Sequence, residues 1–166
     1  MVLTIRPAAV ADHEAIWRIF HEVVAAADTY AYPAGTTRDE ALSLWLPREG
    51  WTFVAEMDGR VVGTYVMKAN QPGQGSHVAN CGYMVEGAAS GRGVGEALCL
   101  HSLAAAKHLG FRAMQFNFVV STNSRAVELW RRCGFAIVGT LPEAFRHPTR
   151  GLVDAYVMYR RLDGTE

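Results

Sequence analysis

The sequence predicts one mixed α/β domain over residues 1–166, with a central sheet of about seven strands and about four helices on its faces. Three observations lead there. Strand-like and helix-like hydrophobic periods alternate along the chain, with no linker, repeat or low-complexity tract between them. Half of the 166 residues are hydrophobic, enough to bury a core without disulfides or metal. One apolar strand runs into a glycine-rich turn that opens directly into a helix.

Taken in order, Val2 to Arg6 alternates and is rich in β-formers, and Pro7 ends it. Asp12 opens a helical pattern through Ala27, with Ile16, Ile19, Phe20, Val23 and Val24 on one stripe. Residues 28–37 form an aromatic loop carrying Tyr30, Tyr32, Pro33 and Gly35, and 38–46 is a second helix stopped by Pro47. Strands 51–57 and 60–68 flank Asp58-Gly59, a strong hairpin signal. After a polar loop at 70–76 come a strand at 77–85, the glycine turn, and a helix at 94–109 with Gly110 past its end. A strand at 111–120 and a helix at 123–132 follow, the helix ended by Gly134. Strands 135–141 and 152–161 close the chain around a loop holding Phe145, Arg146, His147 and Pro148.

Lys plus Arg equals Asp plus Glu at 16 each, so there is no chain-wide basic field for nucleic acid or anionic membrane. An anionic ligand must then be held by a local device. Cys81, Cys99 and Cys133 are odd in number and lack CxxC spacing, which points to buried reduced thiols and no zinc site. The N-terminus lacks the features of a signal peptide and no run is long enough to span a membrane, so the expected location is the cytoplasm.

The local device is the turn. Tyr83-Met84-Val85 leads into Ser90-Gly91-Arg92-Gly93-Val94-Gly95 and then Glu96 on the helix. A helix N-terminus presents unpaired N–H groups and partial positive charge, and glycine lets that backbone touch a phosphate. Arg92 adds a charged donor. Alone, such a turn is more often a plain strand-to-helix junction. No Lys follows the glycines, so it is not a P-loop, and Glu96 stands where a dinucleotide fingerprint needs glycine.

A second segment changes the balance. Asn123 can cap a helix in which Ala126, Leu129 and Trp130 precede Gly134-Phe135. Together the two segments resemble the GCN5-related N-acetyltransferase (GNAT) superfamily. Gly93 and Gly95 match its coenzyme A turn, and Asn123, Ala126, Leu129, Gly134 and Phe135 match its next motif at every spacing. Ser90 departs from the usual Gln or Arg, and Trp130 from a frequent Tyr that is often assigned to protonating the thiolate. The stretch Phe116 to Asn123, with Leu152-Val153-Asp154-Ala155, further resembles the acetyltransferases of L-azetidine-2-carboxylate and related proline analogues. That subgroup carries Trp in place of the Tyr and sets asparagines matching Asn80 and Asn117 around its substrate, with one matching Asn123 near the cofactor.

The resemblance implies acetyl-CoA as cosubstrate, held by Met84, Val85, Ser90, Gly91, Arg92, Gly93, Val94, Gly95, Glu96, Asn123 and Trp130. It implies direct attack by an amine, with Asn80 and Asn117 in the catalytic gap and a free backbone N–H near Met84 or Val85 polarising the thioester. Tyr30, Tyr32, Arg146 and His147 stand in the loops that wall the acceptor pocket of this superfamily. The expectation is that no single side chain is an essential base, with His77, Glu86 and His147 as the side chains available for that role. The expected acceptor is a small amine such as an amino acid or a toxic analogue; no metal, nucleic acid or membrane partner is expected, and the superfamily suggests a homodimer. Acetylation of a protein N-terminus or lysine, and a non-catalytic coenzyme A sensor, are the other readings.

Overall fold

The computed structural model describes residues 2–163. Its elements are β1 (Leu3–Pro7), α1 (His13–Ala26), α2 (Arg38–Trp45), β2 (Trp51–Met57), β3 (Arg60–Ala69), β4 (Val78–Val85), α3 (Val94–His108), β5 (Ala113–Val120), α4 (Ser124–Arg132), β6 (Ala136–His147) and β7 (Gly151–Arg161). The seven strands form one sheet in the order β1-β2-β3-β4-β5-β7-β6. Neighbours are antiparallel except β4 and β5, which run parallel.

Local chemistry sets the connections. Asp58 and Gly59 both take positive φ, 51° and 81°, the conformation a two-residue hairpin turn needs to match strand twist. Thr37 accepts from the Glu40 amide while Glu40 bonds back to the Thr37 amide, a capping box that starts α2. On one face of the sheet, Ile16, Ile19, Phe20 and Val24 of α1 pack with Ala41 and Trp45 of α2 over Val54, Val61 and Met84. On the other, α3 and α4 bury Leu98, Cys99, Leu103, Ala106, Val127 and Trp130 against Tyr65, Met67, Met114, Phe116 and Met158. All three cysteines are buried. Among the described residues, no helix is long and apolar enough to cross a membrane.

One expectation is corrected. Phe145, Arg146 and His147 do not sit in a loop; they continue β6, paired with Val153, Leu152 and Gly151. The ladder survives Pro142, which has no N–H to give, by a bulge between Leu141 and Phe145. There Glu143 takes φ 50° and its amide donates to Asp154 Oδ1 at 2.9 Å. His101 packs between helix and sheet, its ring nitrogen 2.9 Å from the Tyr65 hydroxyl, and His108 is exposed.

Candidate active site

The site begins where the parallel ladder stops. β4 and β5 pair only at Val78–Asn80 against Ala113–Gln115, and beyond those residues they diverge. Divergence strips β4 of partners along one edge. The Glu86 amide donates to Val62 O at 3.0 Å, and Val78 O accepts from Asn70, so the even-numbered residues turn their backbone toward β3. The two-residue period then aims the backbone of Tyr83 and Val85 into the gap. Met84, the other residue whose amide the sequence offered, pairs with Thr64 on the β3 side. The Tyr83 edge is occupied: its amide donates to the Tyr30 hydroxyl at 2.9 Å, and that hydroxyl donates to Tyr83 O at 2.8 Å.

Both helices that follow the diverging strands start at this end of the sheet. α3 begins at Gly93, with φ 81° and no side-chain cap, so its first-turn amides stay open to a ligand. Gly91 is also left-handed, φ 77°. A Cβ on Gly95 would lie 3.3 Å from Leu129 Cδ2, so that glycine also brings α3 and α4 together. Asn123 caps α4 by accepting from the Ala126 amide at 3.3 Å. Arg125, one residue into α4, donates to Ser90 Oγ at 2.9 Å and lies against Gly91. Where Ser90 replaces a longer polar side chain, a guanidinium arrives from the neighbouring helix. Glu22 of α1 accepts from the Gly87 amide at 2.6 Å and fixes the strand-to-turn junction.

The gap itself is filled on the α3/α4 face by aromatic rings. Trp130 lies 4.8 Å from Tyr83 and 5.1 Å from Phe116, centroid to centroid. Burial pushes the neighbouring Cys81 thiol up to about 12, which keeps it protonated and unreactive. On the α1/α2 face the lining turns polar. Asn80 Nδ2 donates to Gln115 O at 3.0 Å across the last rung of the ladder, leaving its Oδ1 for a ligand. Asn117 sits where β5 loses register with β7; it donates to Asn70 Oδ1 at 2.7 Å and accepts from Gln115 Nε2 at 2.9 Å. Lys68 stands opposite Asn80 in register. Tyr30 and Tyr32 stack at 5.6 Å over this face, with Trp45 edge-on to Tyr30 at 6.1 Å.

One open cavity of about 1040 Å³ joins these parts. Its lining brings together Asn80, Asn117, Met84, Val85, Ser90, Gly91, Gly93, Val94, Gly95, Glu96, Asn123, Trp130, Tyr30 and Tyr32. Arg92 is exposed beside the turn, outside that lining. Arg146 and His147 lie away from it as well, because they belong to the β6–β7 hairpin at the sheet's far edge. None of the three side chains considered as bases lines it. His77 precedes β4, and His147 Nδ1 faces Thr149. Glu86 is buried beneath α1, bonded by Arg18 and, at 2.8 and 2.9 Å, by Arg60; it is a structural anchor. Arg125, Lys68 and Glu22 also line the cavity, and the sequence reading passes over them. The one available signal was that Arg125 falls in the first turn of a helix following a parallel strand, which places it beside the other helix's N-terminus.

Residues 16–135 match the profile of the acetyltransferase (GNAT) family. A GCN5-related N-acetyltransferase from Kribbella flavida is 49% identical, covers 96% of this chain and 97% of its own, and superposes with a TM-score of 0.92. A phosphinothricin acetyltransferase from Sinorhizobium meliloti, solved with acetyl-CoA, shares the fold at 23% identity and a TM-score of 0.86, over 97% of this chain and 89% of that one. N-acetyltransferase aca1 of Schizosaccharomyces pombe is 35% identical over 98 residues, 58% of this chain and 47% of that one. The match thus spans about half the length of that curated relative.

Proposed function

The chain belongs to the acetyltransferase (GNAT) family, and on that footing we propose that it moves the acetyl group of acetyl-CoA to the amine of a small molecule, an amino acid or a toxic analogue of one, by direct attack in a ternary complex. The observation that supports this most is the continuity of the cavity. It runs from two uncapped or cation-bearing helix starts, through the gap between β4 and β5, to a face lined by amides and aromatic rings.

The parts divide the work. The pyrophosphate lies on the first-turn amides of α3, with Arg125 beside it. From there the pantetheine arm passes along the β4 edge, meeting Val85 first and Tyr83 last, so the thioester comes to rest at Tyr83 where the strands join. The amine enters from the α1/α2 face, between Tyr30, Trp45, Asn80 and Asn117. Asn80 and Asn117 orient it or its carboxylate, and Lys68 supplies a cation on the same wall. Holding two reactants in register supplies much of the acceleration. The thiolate, from a thiol of pKa about 8.5, leaves without a dedicated acid. No side chain acts as an essential base, so the pH–rate curve follows the pKa of the amine itself.

The subgroup resemblance makes L-azetidine-2-carboxylate the first amine to test. Thiol release from acetyl-CoA is measured against a panel of cyclic imino acids, primary amino acids and peptides, with Asn80→Ala and Asn117→Ala alongside. Release with the imino acid, reduced about tenfold or more in both variants, is expected from the loss of orienting hydrogen bonds. Release with peptides alone would instead favour a protein acceptor. Saturable acetyl-CoA binding with no release from any amine would indicate a coenzyme A sensor.

A further inference from the structure

We propose that the Tyr30 hydroxyl is a second hydrogen-bond donor to the thioester oxygen, acting beside the Tyr83 amide as negative charge develops there. This rests on the acetyl-transfer reading above. The hydroxyl sits on the spot a carbonyl oxygen must claim, 2.9 Å from the Tyr83 nitrogen and 2.8 Å from Tyr83 O. It carries one proton and two lone pairs. At rest it accepts from the amide and gives its proton to Tyr83 O.

When the thioester arrives, its oxygen takes over the amide proton and the hydroxyl is displaced by about one hydrogen-bond length. Its donor then has two acceptors within reach, Tyr83 O and the thioester oxygen. In the ground state both are neutral carbonyls and neither is strongly favoured. As the amine nitrogen bonds to the carbonyl carbon, the π pair moves onto oxygen. A hydrogen bond to that oxyanion is about twice as strong as one to a neutral carbonyl. The proton therefore turns to it only as the tetrahedral species forms, which is the kind of interaction that raises kcat. Collapse returns the pair, breaks the C–S bond and expels the thiolate. The amine's surplus proton passes to water, and water protonates the sulfur.

The surroundings suit this role. Tyr30 is clamped by its stack on Tyr32 and the edge of Trp45, so the hydroxyl stays near the gap when displaced. Gly82 makes the approach possible: a Cβ there would lie 3.3 Å from both Tyr30 Oη and Trp45 Cη2. Burial raises the Tyr30 ionisation well above its ordinary value, so it remains a neutral O–H across any working pH.

Tyr30→Phe keeps the ring and removes only the hydroxyl. Thiol release from acetyl-CoA is followed with L-azetidine-2-carboxylate and, separately, with water as the nucleophile, since both reactions pass through the same oxyanion. The expected result is a fall in kcat of about tenfold or more for each nucleophile. The acetyl-CoA dissociation constant should be unchanged or lower, because the Tyr83 amide no longer has to be vacated. Gly82→Ala, which pushes an intact hydroxyl off Tyr83, is expected to lose kcat as well. Wild-type kcat in Tyr30→Phe overturns the proposal, as does a loss of turnover explained entirely by weaker acetyl-CoA binding. If the wild-type protein binds acetyl-CoA but releases thiol to neither nucleophile, the acetyl-transfer reading fails, and this one with it.

Discussion

Arg125 reaches the glycine turn because Asn123 sets where α4 begins. A helix starting one residue later would rotate that side chain by about 100° and carry it away from Ser90. Under the proposed placement of the pyrophosphate, Arg125→Ala should raise the KM for acetyl-CoA about tenfold and leave kcat nearly unchanged, since that contact would be the same in ground and transition states. Steady-state kinetics at low and high salt check this: the gap between wild type and variant should narrow as salt screens the contact. Residues of this kind are the hardest to find from a sequence. Asn80 and Asn117 were legible because the subgroup resemblance sets asparagines at matching positions. Arg125 looked like any helix-surface arginine, and its partner Ser90 lies 35 positions away.

Among the elements, the start of α3 depends on a glycine in a strand it only crosses. A Cβ on Gly63 of β3 would fall 2.9 Å from Val94 Cγ1 and 3.1 Å from Leu98 Cδ1. Gly63→Ala should lift the first turn of α3 from the sheet and cost about 1–3 kcal/mol by overpacking. In urea this appears as a lower midpoint with an unchanged slope, together with weaker acetyl-CoA binding. All eleven principal strands and helices were legible in the sequence, because strand and helix periods alternate and Pro or Gly marks several of the junctions. The end of β6 was not. Pro148 read as a loop marker, yet β6 passes Pro142 by a bulge and stays paired with β7 as far as His147. That outcome is decided by a partner strand and carries no local signature. Arg146 and His147 were misplaced for the same reason.

For the whole molecule, the buried thiols set an alkaline limit. The Cys81 thiol is pushed up to about 12 from an ordinary value of 9.0 by burial. Burial raises Cys99 as well. Below the ordinary value both folded and unfolded chains hold these protons, and the stability is fully present. As pH rises from about 9 toward 12, the unfolded chain releases them first and stability falls. Denaturant midpoints measured from pH 8 upward should drop steadily over that window, and a chromogenic disulfide reagent at pH 8 should label the cysteines only as the protein unfolds.

The brevity of the β4–β5 ladder has a consequence for how the protein could be divided. Strands β1 to β4 are contiguous both in the chain and in the sheet, and β5 to β7 likewise, so the three-rung junction is the sole sheet boundary between two blocks of sequence. A backbone break at the exposed Gly110 would sever no strand pairing within either block. The two fragments would meet along the cavity, lined by the α3 start on one side and by Arg125 on the other. Such a pair would behave as a split protein whose reassembly is driven by the nucleotide cosubstrate. The ligand would then act as mortar as well as reagent.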